Sequence, residues 1–67
     1  MIDRELRAVI ERCPGGWSWS IEGEVPYEFM DGPFKRYNPS GKTFTRRGAR
    51  AEARRKLKEI RKFLAEE

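Results

Sequence analysis

The clearest pattern in the chain is Trp17-Ser18-Trp19-Ser20-Ile21-Glu22, whose strict alternation puts two tryptophans and an isoleucine on one face of a strand and polar residues on the other. Val25, Tyr27 and Phe29 repeat the alternation after a turn around Gly23 and predict an antiparallel partner strand through about Asp31. Asp31-Gly32-Pro33 and Asn38-Pro39-Ser40-Gly41 are turn signals. Phe34 to Tyr37 between them reads as an irregular strand or an exposed loop, and a third strand is expected near Lys42 to Thr45.

Two stretches have helical spacing instead. Ile2, Leu6, Val9, Ile10 and Cys13 fall within about 100° of one another on a helical wheel, with Asp3, Arg4, Glu5, Arg7, Glu11 and Arg12 on the rest of it. Pro14-Gly15-Gly16 would end that helix. Near the other end, Ala49, Ala53, Leu57, Ile60 and Leu64 share a sector of roughly 80° and mark the core face of a last helix. Its alanines suit close passage over Trp17 and Trp19, and its larger residues suit packing over the first helix. The pattern therefore predicts an α+β fold of order α-β-β-β-α, a three-stranded antiparallel sheet packed against two helices, as a single domain over residues 1–67.

Length and composition tighten this. With 67 residues the chain buries only about 60% of its unfolded surface, so the core must be small. It has one cysteine, Cys13, and no histidine, which removes an intrachain disulfide and a Cys/His zinc site, and no metal or cofactor is expected. Cys13 and the two tryptophans are expected in the core. No apolar run approaches the length of a membrane span or a signal peptide, and the expected location is the cytoplasm.

The net charge of +4 conceals a gradient. Residues 1–33 carry three arginines against seven acids, residues 34–45 carry Lys35, Arg36 and Lys42 with no acid, and residues 46–67 carry nine Lys/Arg against four Glu. The last helix divides into three sectors: apolar, basic (Arg47, Arg50, Arg54, Arg55, Lys58, Arg61 and Lys62) and acidic (Glu52, Glu59 and Glu66). The pairs Glu52/Lys56, Arg55/Glu59 and Lys62/Glu66 would give ordinary support at i,i+4. Against them, Arg50/Arg54, Arg54/Lys58 and Lys58/Lys62 repel, at roughly 1 kcal/mol together. Arg46 and Arg47 in the first turn and Glu66 and Glu67 in the last also oppose the helix dipole. An anion at the helix start would turn that cost into a gain, because the free N–H groups after Thr45 converge with Arg46, Arg47 and Arg50. Gly48 would admit either a close phosphate or close packing on the sheet.

Thr45-Arg46-Arg47-Gly48-Ala49-Arg50-Ala51-Glu52-Ala53, running to Leu57, resembles the start of the second helix of double-stranded-RNA-binding domains, and the predicted element order is similar to theirs. That resemblance implies that Arg46, Arg47 and Arg50 hold phosphates across a groove while the first helix contacts an adjacent minor groove. Where that family carries a Gly-Pro-x-His loop, this chain has Glu22-Gly23-Glu24-Val25-Pro26. Gly41-Lys42-Thr43-Phe44-Thr45 leading into Arg46-Arg47 is also similar to the third strand and helix start of the N-terminal DNA-binding domains of tyrosine-recombinase integrases. The Trp-x-Trp strand followed by a Thr-Arg-Arg-x-Ala helix resembles small proteins of actinobacterial phages.

Two further clusters carry chemistry. Phe34-Lys35-Arg36-Tyr37 could stack a base while its cations hold the backbone, or Phe34 could pack into the core. Glu22, Glu24, Glu28 and Asp31 make an acidic group that alternation scatters over two faces and a loop, and no nucleophile motif or phosphate-binding glycine loop is present. The expectation is a non-enzymatic module that binds double-stranded DNA or RNA through Arg46, Arg47, Arg50, Arg54 and Lys58, with Lys35, Arg36 and Lys42 as further candidates. The alternative is a small interaction protein that docks the same helix on an acidic host-protein surface. The separation of acidic and basic ends would also permit head-to-tail self-association.

Overall fold

In the computed structural model, which describes residues 6–66, the chain forms β1 (Leu6–Cys13), β2 (Gly16–Gly23), β3 (Ser40–Thr43) and α1 (Arg46–Ala65), with short 3-10 turns at Tyr27–Phe29 and Pro33–Lys35. The sheet is antiparallel in the order β1-β2-β3, and α1 packs against all three strands. The architecture is β-β-β-α, not the expected α-β-β-β-α.

The expected first helix is a strand. Leu6, Ala8 and Ile10 also alternate, the register sets Ala8 against Ile21 and Ile10 against Trp19, and Leu6 and Ile10 pack on the core while Ala8 stays exposed. Pro14 and Gly15 are not a helix stop but the two-residue connection between the paired Cys13 and Gly16, with Gly15 at φ +84, where glycine is unstrained. The part of the expected helix in residues 1–5 lies outside the described residues. Without that helix there is no two-helix sandwich, and the likeness to double-stranded-RNA-binding domains and integrase N-terminal domains does not hold for the fold.

The expected partner strand from Val25 to Asp31 is also absent. Pro26 would sit inside it without an N–H to give a ladder. Instead the chain turns, with Phe29 N–H donating to Pro26 O at 2.9 Å and Met30 N–H to Tyr27 O at 3.1 Å. The second neighbour of β2 is β3, which begins at Ser40 and ends at Thr43, earlier than the expected Lys42 to Thr45. Pro39 extends this pairing, since Ile21 N–H donates to Pro39 O at 3.0 Å. Proline has no N–H to return, and the Asn38 side chain supplies it, Nδ2 donating to Ile21 O at 2.9 Å.

The expected core faces are present. Trp19 is 7% exposed, Ile21, Ala49, Ala53 and Ile60 are buried, and Trp17, Leu57 and Leu64 pack around them with Leu6, Ile10, Val25 and Phe29. The Trp19 indole lies across β3 at Gly41, where a Cβ would come within 2.7 Å of Nε1 and 2.9 Å of Cε2. Its Nε1–H donates to Glu52 Oε2 of α1 at 3.0 Å. Gly48 serves packing in the same way: a Cβ there would meet Thr45 Oγ1 at 3.0 Å and Thr43 Cβ at 3.4 Å. Cys13, expected in the core, is half-buried at the end of β1.

Gly41→Ala should lower stability by about 1 to 3 kcal/mol in urea unfolding, because the added methyl displaces a buried indole and lengthens its bond to Glu52. Asn38→Ala should cost about 1 to 3 kcal/mol by leaving Ile21 O unpaired, and an unchanged unfolding midpoint would show that the bond contributes nothing.

Candidate nucleic-acid interface

Helix α1 starts where Thr45, in an extended conformation, accepts a hydrogen bond from Gly48 N–H at 3.0 Å through Oγ1. The backbone before it is tied as well, since Thr43 Oγ1 donates to Thr45 O at 2.6 Å. The cap satisfies one of the free amides, and those of Arg46 and Arg47 remain at the helix start.

Arg46, Arg47, Arg50 and Arg54, with Ala51, line one open concavity of about 610 Å³. Helical spacing explains the grouping, because these residues span a little over two turns on one flank of α1. Among the described residues no acid pairs with them; the ion pairs are Arg7–Glu22 at 2.8 Å across β1 and β2, and Lys56–Glu59 at 3.6 Å on the helix. Lys56 takes Glu59 at i,i+3, and the expected Glu52/Lys56 pair gives way to the Trp19–Glu52 bond. Glu52 is the only acid between Arg46 and Lys58, and it is turned toward the sheet and away from the arginines.

Arg46 has a second contact. Its guanidinium carbon lies 5.9 Å from the Trp17 ring centroid, a cation–π arrangement worth about 0.5 to 1 kcal/mol at an exposed site. That offsets part of the dipole penalty at this position. Among the described residues no aromatic ring underlies Arg47, Arg50 or Arg54.

The other candidates are placed apart. Lys58 is exposed one turn beyond Arg54 and outside the lining of the concavity. Lys42 pairs with Ser18 in the register, on the sheet face opposite Trp17 and Trp19 and hence opposite α1. Lys35 and Arg36 lie in the connection between β2 and β3, which leaves the sheet at Gly23 and re-enters at Ser40, whereas α1 starts beyond Thr43 at the other end. Their charges rest on aromatic rings: Lys35 Nζ lies 4.9 Å from the Tyr27 centroid and the Arg36 guanidinium 5.7 Å from that of Phe34. Phe34 is 84% exposed, so it is not a core residue, and it takes a left-handed backbone at φ +62.

Of the acidic group, Glu22 is held by Arg7, whose Nε and Nη2 both donate to Oε2, at 3.0 and 2.8 Å. Among the described residues no group of three or more His, Cys, Asp or Glu is placed to hold a metal ion. Sequence reasoning missed Phe44, which is 92% exposed between Thr43 and the capping Thr45. The available signal was its position just past the strand alternation and just before the cap.

Thr45→Ala should cost about 1 kcal/mol and fray the turn that carries Arg46 and Arg47, while Thr45→Ser should restore most of the loss. Urea unfolding of the two variants distinguishes a true cap from a bystander. No protein-family model, curated protein or solved structure matches this chain.

Proposed function

We propose that this protein binds double-stranded nucleic acid by its phosphate backbone, without catalysis, using the arginine-lined flank of α1. The observation that carries the reading is the convergence of Arg46, Arg47, Arg50 and Arg54 on one concavity while the nearest acid, Glu52, is engaged by Trp19. Four like charges kept together cost stability, and a polyanion repays that cost by releasing its counterions. Lys58 extends the track by one turn. Lys35, Arg36 and Lys42 are not needed for it. Contacts of this kind position a duplex and read little sequence. On this reading the protein works in the cytoplasm, and no helix among the described residues is long and apolar enough to cross a membrane.

Fluorescence anisotropy with matched DNA and RNA duplexes at several salt concentrations tests the proposal. Four or five neutralised phosphates should give a log-affinity against log-salt slope of about −4 on DNA. Arg50→Ala should flatten the slope by about one unit, and glutamate at Arg46, Arg47 and Arg50 together should abolish binding. A flat salt plot would overturn phosphate contact as the source of affinity. No binding at low salt would overturn the proposal and redirect the search to an acidic protein surface as the partner of the same helix.

A further inference from the structure

β1 is an edge strand of eight residues, with β2 on one side and, among the described residues, no strand on the other. The register shows which of its backbone groups are free. Ile21 N–H donates to Pro39 O and Ile21 O accepts from Asn38, so the backbone of Ile21 faces the β3 side of β2, as do those of Trp17 and Trp19. The backbones of Ser18, Ser20 and Glu22 therefore face β1 and pair with those of Glu11, Val9 and Arg7. That leaves the N–H and C=O groups of Leu6, Ala8, Ile10 and Arg12 along the open edge.

Open edges are usually blunted, and β3 is: it has four residues, Pro39 precedes it and Lys42 stands on it. β1 is twice as long, contains no proline, and pairs with β2 without a bulge. Its charges follow an order. Leu6 and Ile10 pack on the core, so Arg7, Val9 and Glu11 form a row on the sheet face away from α1. Positive, apolar and negative in turn, that row is complementary to its own reverse.

We infer that β1 is the contact surface for a second copy of this chain, paired antiparallel about a two-fold axis through Val9, so that two three-stranded sheets join into one of six strands. In this register Leu6 opposes the partner's Arg12 and Ala8 the partner's Ile10, and the free N–H and C=O groups of one edge meet those of the other. Arg7 opposes the partner's Glu11, and Glu11 the partner's Arg7, giving two opposite-charge pairs on one face. Sliding the strands by two residues keeps the hydrogen bonds but sets Val9 against Arg7 or Glu11 and loses both pairs. Arg7 has donors for two acids: Nε and Nη2 donate to Glu22 Oε2, and Nη1 is left for the partner's Glu11. Among the described residues no cation pairs with Glu11. On the other face Ala8, exposed between the half-buried Leu6 and Ile10, receives the partner's Ile10. A head-to-tail contact between acidic and basic ends would use two different surfaces, whereas β1 presents the same one to both copies. The axis is perpendicular to the sheet, so both α1 helices lie on one face. This contact is independent of the nucleic-acid reading.

Analytical ultracentrifugation at low salt over a range of concentrations tests the pairing. The wild type should reach twice the chain mass as concentration rises. Arg7→Glu and Glu11→Arg should each sediment as monomers, because each sets like charges opposite one another. An equimolar mixture of the two variants should recover the dimer, since both cross-strand pairs are then of opposite sign. Glu11→Arg breaks no ion pair within the chain and should keep its unfolding midpoint. Register is read by cross-linking in a Cys13→Ser background. Val9→Cys should form an intermolecular disulfide under mild oxidation, because non-hydrogen-bonded partners lie about 4.5 Å apart at Cα, within the range a disulfide spans. Arg7→Cys, facing Glu11, should not. A wild type that stays monomeric at every concentration would overturn the inference. So would a dimer that survives both charge reversals, which would place the contact on another surface.

Discussion

The Trp19 indole fixes the relation between sheet and helix. Its backbone lies in the central strand opposite Ile10, its ring crosses β3 at the gap left by Gly41, and its N–H is satisfied by Glu52 of α1. A half-buried N–H without an acceptor would cost about 1 to 3 kcal/mol, a large share of what a domain this small can have. The bond also sets the rotation of α1 about its own axis. With Glu52 drawn toward the sheet, Ala49, Ala53 and Ile60 face the core and Arg47, Arg50 and Arg54 face water. The direction in which the arginines point is thus a consequence of how a tryptophan is packed.

The same bond shapes the electrostatics. A helix rich in both signs usually spreads its charges into pairs at i,i+3 and i,i+4. In α1 this happens in the second half, where Lys56 meets Glu59, and not in the first, where the only acid faces the sheet. The helix start is left with several cations and the positive end of the dipole together. The Arg46–Trp17 contact relieves one of these charges and holds that arginine beside the sheet. The remaining repulsion is small in free energy but concentrated in space, which is the condition for a strong local field.

Much of this was legible in the sequence, for identifiable reasons. The strand at Trp17 to Ile21 and the core face from Ala49 to Leu64 have a single hydrophobic period each, and both occur as expected. Leu6 to Cys13 fits two periods at once, because Val9 adds an apolar residue on the outer face and completes a helical stripe; only the pairing with β2 selects the strand. Val25 to Phe29 alternates, but Pro26 breaks it and the register gives β2 another neighbour. The grouping of Arg47, Arg50 and Arg54 followed from helical spacing, and that of Arg46 with them from its place in the first turn. The separation of Lys42 from them did not, since the face of a short edge strand depends on its register, and neither did the exposure of Phe44, which depends on where the strand stops.

A single helix must close this core, and its length creates a problem. Twenty residues of α-helix run about 30 Å, whereas the four residues of β3 cover only about 13 Å, so the C-terminal half of α1 extends past the short edge strand. The connection between β2 and β3 fills that space. Phe29 meets Phe63 edge-on at 5.3 Å, Val25 packs against the core, and Pro39 is buried where the ladder continues past Ser40. The connection does the work expected of a second helix with two 3-10 turns and a side-chain hydrogen bond. It also carries both signs of charge, Glu24, Glu28 and Asp31 with Lys35 and Arg36, at the end of the sheet remote from Thr45. The excess of one sign lies instead at the start of α1, where Arg46, Arg47, Arg50 and Arg54 share a concavity and the acid of that half of the helix, Glu52, is bound to Trp19.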